Sequence, residues 1–193
     1  MSPENKKTLE LEIARQCAPV MAGLKPANLL ILNREDGQIK EGFFKEMKAC
    51  GKLLYLSERK TIWLIYRQTE LATVLRKPEN RTFLQMYGYK EEDTVAKMLE
   101  RLAERFAFHR RYGNGFPHEM GVFLGYPLGD VQGFIRNNGK NYLYCGYWKV
   151  YENPEETRKT FALFRKAQRV FTEALKDGMN LGQAVSMEPV LPA

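Results

Sequence analysis

The sequence predicts one mixed α/β domain: a sheet of about four strands, mixed in direction, covered by several helices. Three observations carry that expectation. Apolar residues recur at three-and-four spacing over residues 91–111 and 153–178. Two aliphatic and aromatic runs, 52–57 and 61–67, are separated by only three residues and read as a hairpin. Ahead of them the order strand, helix, strand over 27–57 predicts a right-handed βαβ unit, with the hairpin adding an antiparallel strand.

In chain order, Leu9, Ile13 and Cys17 repeat at four-residue spacing and predict a helix over 7–16, which Pro19 is expected to interrupt. ANLLIL (27–32) reads as a buried strand, and NREDG after it as a turn. QIKEGFFKEMKAC (38–50) reads as a helix with Gly51 as its C-cap. Thr69 is the expected N-cap of the next helix, and Pro78 suits the first turn of the one that follows. In the 91–111 helix Val95, Met98, Leu99, Leu102 and Phe106 make the inward stripe, stopped by Gly113 and Gly115. PHEMGVFLG and LGDVQGFIRNN predict two short helices, and KNYLYCGYWKVY (140–151) a strand rich in aromatics. The long C-terminal helix opens with Asn153 and Pro154 and ends before Gly178.

A chain of 193 residues with 44% hydrophobic and 27% charged side chains is globular, and one domain over 1–193 is expected, with residues 1–6 and 187–193 flexible. Cys17, Cys50 and Cys145 are odd in number and never close in sequence, against a disulfide framework and for a reducing compartment. The opening residues lack the apolar core of a signal peptide, and no apolar run approaches the roughly 20 residues of a membrane span. A cytoplasmic protein with no membrane partner is expected. The net charge of +7 can steer polyanionic partners toward the surface, but by itself it implies solubility and only weak attraction for them.

The chemistry-bearing residues support two classes of function. Cys17, placed just ahead of a new helical turn at Pro19, would have a lowered pKa, and His118 in a first turn would stay neutral and serve as base. Glu119 or Asp130 would orient the imidazole. The plain alternative is that Cys17 is a small core side chain and His118 only a helix start. The 140–151 strand places Tyr147 and Lys149 opposite Tyr142, Tyr144 and Trp148, so one aromatic face could line a ligand pocket with Lys25 and Lys149; plain core packing explains the same composition. RFAFHRRYGNGF mixes Arg110 and Arg111 with aromatics, while Arg158, Arg165 and Arg169 form a ridge within about 40° on the last helix that could contact phosphates. A solvated basic face explains the same pattern, and no helix-turn-helix or ribonucleoprotein signature accompanies it. With two histidines and no paired-ligand spacing, no metal site is expected. A Walker loop is absent, and GNGFPH has His118 where a dinucleotide fingerprint needs glycine, so no cofactor is named.

CAPVMAGLKPANLL, HEMGVFLGYPLGDVQGFI and NYLYCGYWKVY, three ordered motifs, resemble the bacterial DUF3793 family over nearly the whole chain. That resemblance implies a bacterial cytoplasmic protein of uncharacterised function, with a lean toward redox or cofactor metabolism through neighbouring flavodoxin genes. The favoured expectation is a thiol-dependent enzyme or small-molecule handling protein, whose cleft gathers the Cys17 segment, the His118 helix and the 145–151 strand. The alternative is a non-catalytic module for nucleic acid or an acidic protein such as a flavodoxin.

Overall fold

The computed structural model describes residues 3–34, 39 and 41–187, and the chain divides into two compact units, residues 1–68 with 163–193 and residues 69–162. In the first unit, helix α1 spans Pro3–Met21, so it starts earlier than the sequence suggests, within the expected N-terminal tail. Residues 1–2 and 188–193 of the expected tails lie outside the described residues. Pro19 does not interrupt α1 as expected. A proline inside a helix leaves the carbonyl four residues earlier without its donor; here the Gln168 side chain donates to the Arg15 carbonyl at 2.9 Å, and the helix continues to Met21.

Strands β1 (Ala27–Asn33), β2 (Cys50–Leu56) and β3 (Lys60–Tyr66) form one sheet in the order β1-β3-β2. Both outer strands pair antiparallel with β3, so β1 and β2 point the same way with β3 between them. The expected strand–helix–strand order therefore survives, but without a parallel pairing and with three strands instead of about four. A bulge at Leu54 shifts the β2–β3 register, and Ser57 closes their turn by accepting from the Lys60 amide at 3.0 Å.

The link between β1 and β2 is a 3-10 helix, Glu41–Met47, shorter than the helix expected over 38–50. Its three-residue repeat puts Phe44 and Met47 on one side, and both are buried. Residues 38 and 40 of that expected helix lie outside the described residues. Gly51 is not its cap but the second residue of β2, where a Cβ would overlap the Phe44 ring.

Trp63, Ile65, Leu30 and Leu32 pack with Leu9, Ile13 and Cys17 of α1 in one core. Phe171 and Leu175 join it from helix α7 (Pro154–Lys176), and Leu181 from α8 (Leu181–Ser186). Each such side chain contributes about 1.5–3 kcal/mol over remaining exposed.

The second unit is helical: α2 (Gln68–Leu75), α3 (Pro78–Gln85), α4 (Val95–Tyr112), α5 (Met120–Phe123) and α6 (Leu128–Arg136), with the first turns of α7. Thr94 caps α4 by accepting from the Lys97 amide, and Gly113 ends it at φ 72°, a left-handed conformation that suits glycine. Met98, Leu99, Leu102 and Phe106 are buried, as their spacing predicts.

The segment expected as one strand over 140–151 is instead a hairpin of two short strands, β4 (Tyr144–Cys145) and β5 (Lys149–Val150). The turn lies at Gly146–Trp148, where Gly146 donates to the Trp148 carbonyl and a Cβ would overlap the Phe161 ring. The face alternation read through Gly146 stops at that turn. The mixed α/β class and the long C-terminal helix stand. Among the described residues, no helix is long and apolar enough to cross a membrane.

Cys17 is buried, while Cys50 and Cys145 are exposed. Iodoacetamide is expected to modify Cys50 and Cys145 in the native protein and to reach Cys17 only after urea unfolds it. Peptide mass mapping checks this; native labelling of Cys17 as fast as Cys145 would contradict the packing.

Candidate functional site

Cys17 lies well inside α1, far from the positive end of the helix dipole. Burial pushes its thiol up to about 12, the nearby Lys25 amine opposing and Glu12 adding to the shift. That is opposite to the lowering expected from the sequence, so Cys17 is a neutral thiol near neutral pH. Lys25 is 4% exposed, and burial pulls its amine down to about 8, with Cys17 acting the other way.

The amine donates to Asn28 Oδ1 at 2.6 Å and lies 5.9 Å from the Phe164 ring centre. Asn28 in turn donates to the Gln16 and Leu29 carbonyls. The Gln16 amide bonds both the N–H and the C=O of Ile31, as a neighbouring strand would. This polar chain covers the edge of β1 and ties it to α1.

In the second unit Glu119 is fully buried and forms an ion pair with Arg105, while Tyr89 donates its hydroxyl at 3.4 Å. The Arg105 guanidinium also lies over the Tyr87 ring at 5.3 Å. Burial first, and Glu119 second, push the Tyr89 hydroxyl up, so it remains a donor. The carboxylate expected to orient His118 is thus spent on Arg105 and Tyr89.

His118 sits in the turn before α5, its ring 5.4 Å from Phe116 and 5.5 Å from Phe134. Burial holds it below the ordinary imidazole range; Glu119 pulls it up and His109 pushes it further down. The downward direction is the one expected at this position, and its first cause is burial.

Asp130 is buried in the first turn of α6. One oxygen accepts from Trp148 Nε1 at 2.7 Å, the other from the Tyr151 and Glu152 amides at 2.6 and 3.0 Å. Trp148 stacks on Tyr126 at 4.8 Å and stands edge-on to Phe161 at 4.5 Å, and Tyr147 meets the same Phe161 ring. Lys149 donates to the Gly139 carbonyl at 2.7 Å, its amine 5.0 Å from the Tyr142 ring centre. His118 and Lys149 both contact the Phe134 ring, so the structure gathers these two. Cys17 belongs to the other unit.

The C-terminal end of α4 is different in kind. Phe108 and Tyr112 are 54% and 58% exposed, with ring centres 4.8 Å apart and planes at 49°. Phe116, 42% exposed, follows after two glycines. Arg110 and Arg111 are exposed among these rings, whereas Phe106 is in the core. On α7, Arg158 covers Tyr144 at 4.6 Å and pairs with Glu155, and Arg165 and Arg169 are exposed.

Sequence reading missed the exposure of Phe116, the role of Arg105 as partner of Glu119, and a cleft of about 280 Å³ at the N-terminus of α4. In that cleft Arg81 donates to the Glu91 carbonyl, and Asp93 is held below the carboxylate range by the Lys90 amide and Lys97. Both charge signs line it, Arg76 and Arg81 beside Glu91, Glu92 and Asp93, and Lys97 pairs with Asp93 at 3.0 Å. Among the described residues no group of three or more His, Cys, Asp or Glu could hold a metal ion.

The family model described as Protein of unknown function (DUF3793) matches residues 13–185. No curated protein and no solved structure matches the chain.

Between pH 8 and 10.5 the unfolded chain keeps a proton on Lys25 that the folded chain has lost. Through Lys25 the unfolded state therefore binds more protons, and the Lys25 contribution to stability rises with pH across that window, by about 3 kcal/mol for a shift of this size. Above pH 9 the raised Cys17 thiol acts in the opposite sense, so the net rise is confined to pH 8–9. Lowering the pH to 8 removes this stabilisation. Lys25→Met is expected to flatten that rise in urea denaturation; a variant whose stability tracks the parent's across the window would contradict it.

Proposed function

The chain belongs to this family of unknown function, DUF3793, and from its surface chemistry we propose that it is a binding module for nucleic acid. The observation that supports this reading is the composition of the exposed end of α4. From Arg105 to Phe116 the chain carries no acidic residue, four basic or imidazole side chains among four aromatics, and three of those aromatics are exposed. Basic residues in a last turn complement the helix dipole, which accounts for Arg110 and Arg111 alone. It does not account for Phe108, Tyr112 and Phe116, each of which forgoes part of the burial energy its ring would gain in a core. Arginines interleaved with exposed rings fit a ligand with phosphates and flat bases.

The enzyme reading requires an ionisable sulfur, and the neutral buried thiol of Cys17 weighs against it. Tyr147, Trp148, Lys149 and Asp130 are engaged in mutual packing and hydrogen bonds, which weighs against a ligand pocket among them.

Binding to a labelled oligonucleotide, read by fluorescence anisotropy, tests the proposal. Affinity is expected to fall steeply between about 50 and 200 mM salt as phosphate contacts release counterions. Arg110→Ala with Arg111→Ala is expected to shallow the slope of log affinity on log salt by about 1.4 for a single strand, about 0.7 per contact. Absence of binding at low salt, or binding indifferent to salt, would contradict it.

A further inference from the structure

The segment FHRRYGNGF, residues 108–116, holds three exposed rings and two arginines around a bare stretch of backbone. At about 100° per residue, Tyr112 lies about 40° from Phe108 around α4, and Arg111 about 60° to the other side. The two rings lie tilted against each other, their planes 49° apart. Beyond them Gly113 and Gly115 take φ of 72° and 54°, and a Cβ on either would meet nothing within 4 Å. Both glycines are required by those left-handed angles, and they leave the main chain approachable between Tyr112 and Phe116. Phe116 is steadied from behind by the rings of Phe106, His109 and His118.

Resting on the nucleic-acid reading above, we infer that this end of α4 takes single-stranded nucleic acid, stacking an unpaired base on the Phe108–Tyr112 pair. The physical argument is one of access. A duplex hides the faces of its bases in its own stack and offers phosphates to Arg110 and Arg111 only. A single strand offers the same phosphates and also free base faces, which aromatic side chains hold with little regard to sequence. Charge complementarity is local as well as global: the chain carries +7 overall, and this segment carries no acid. Glu104 is exposed one turn before Phe108 and about 40° from it, and it sets the boundary of the platform on that side. A phosphate placed beyond Phe108 in that direction meets a like charge.

The test compares three probes with the full chain: a labelled single strand, a duplex of the same sequence, and inorganic polyphosphate. The single strand is expected to bind about tenfold or more tightly than the duplex. Phe108→Leu with Tyr112→Leu is expected to cost the single strand about tenfold or more and to leave duplex and polyphosphate unchanged. Phe108→Trp keeps a stacking face; it is expected to retain binding, with its indole fluorescence quenched by the strand. Glu104→Gln is expected to tighten all three probes. If duplex and single strand bind alike, or if the leucine variant loses polyphosphate as much as strand, the stacking inference is overturned while nucleic-acid binding stands. If none of the three probes binds with salt dependence, both fall.

Discussion

Glu119 has lost all contact with water, and its charge is tolerable only because Arg105 reaches it from α4 and Tyr89 adds a hydroxyl. A carboxylate buried without a partner would cost several kcal/mol, so removing either member of such a pair is commonly worth about 3–5 kcal/mol. The consequence is geometric. Arg105 and Glu119 bracket the stretch that ends α4, turns through the two glycines and enters α5. Their contact closes that stretch into a loop of fixed shape, with Phe106 inward and Phe108, Tyr112 and Phe116 outward. The surface at the end of α4 is therefore a by-product of an ion pair beneath it.

The same cost of burying charge sorts the other polar side chains. Asp130 has both oxygens occupied and holds the β4–β5 hairpin to α6. Lys25 yields its proton more readily than a surface lysine, and Cys17 holds its proton more firmly than a surface thiol. Burial beside two phenylalanines holds the His118 imidazole below its ordinary range. Residues that look reactive in a sequence become scaffold once each has found its partner or shed its charge. What remains for binding is what the fold has left outside.

Local rules were enough to read the body of α4 and α7 from sequence, since a 3.6-residue stripe and a Gly113 stop are local signals. The Thr94 cap, which starts α4 at Val95 and not at residue 91 as expected, went unread. The β2–β3 hairpin was legible for the same reason. Pro19 was misread because the group that compensates it, Gln168, lies far along the chain. The 140–151 segment was misread as one strand because alternation of aromatics looks the same through Gly146 whether the chain goes straight or turns. Only contact with Phe161 decides it. The basic and aromatic run at the end of α4 was visible, yet composition alone does not say that Phe106 turns inward while Phe108 does not. Glu119 was read as a partner for the His118 imidazole; its actual arginine partner is a tertiary fact that no spacing rule supplies.

A double-mutant cycle on Arg105 and Glu119 tests the foundation of this account. Urea denaturation of Arg105→Met, Glu119→Gln and the pair together gives their coupling energy. A coupling of about 2 kcal/mol or more is expected, with Arg105→Met costing far less once Glu119 is already gone. Additive losses, with a coupling below about 0.5 kcal/mol, would mean that the two side chains do not hold this loop together.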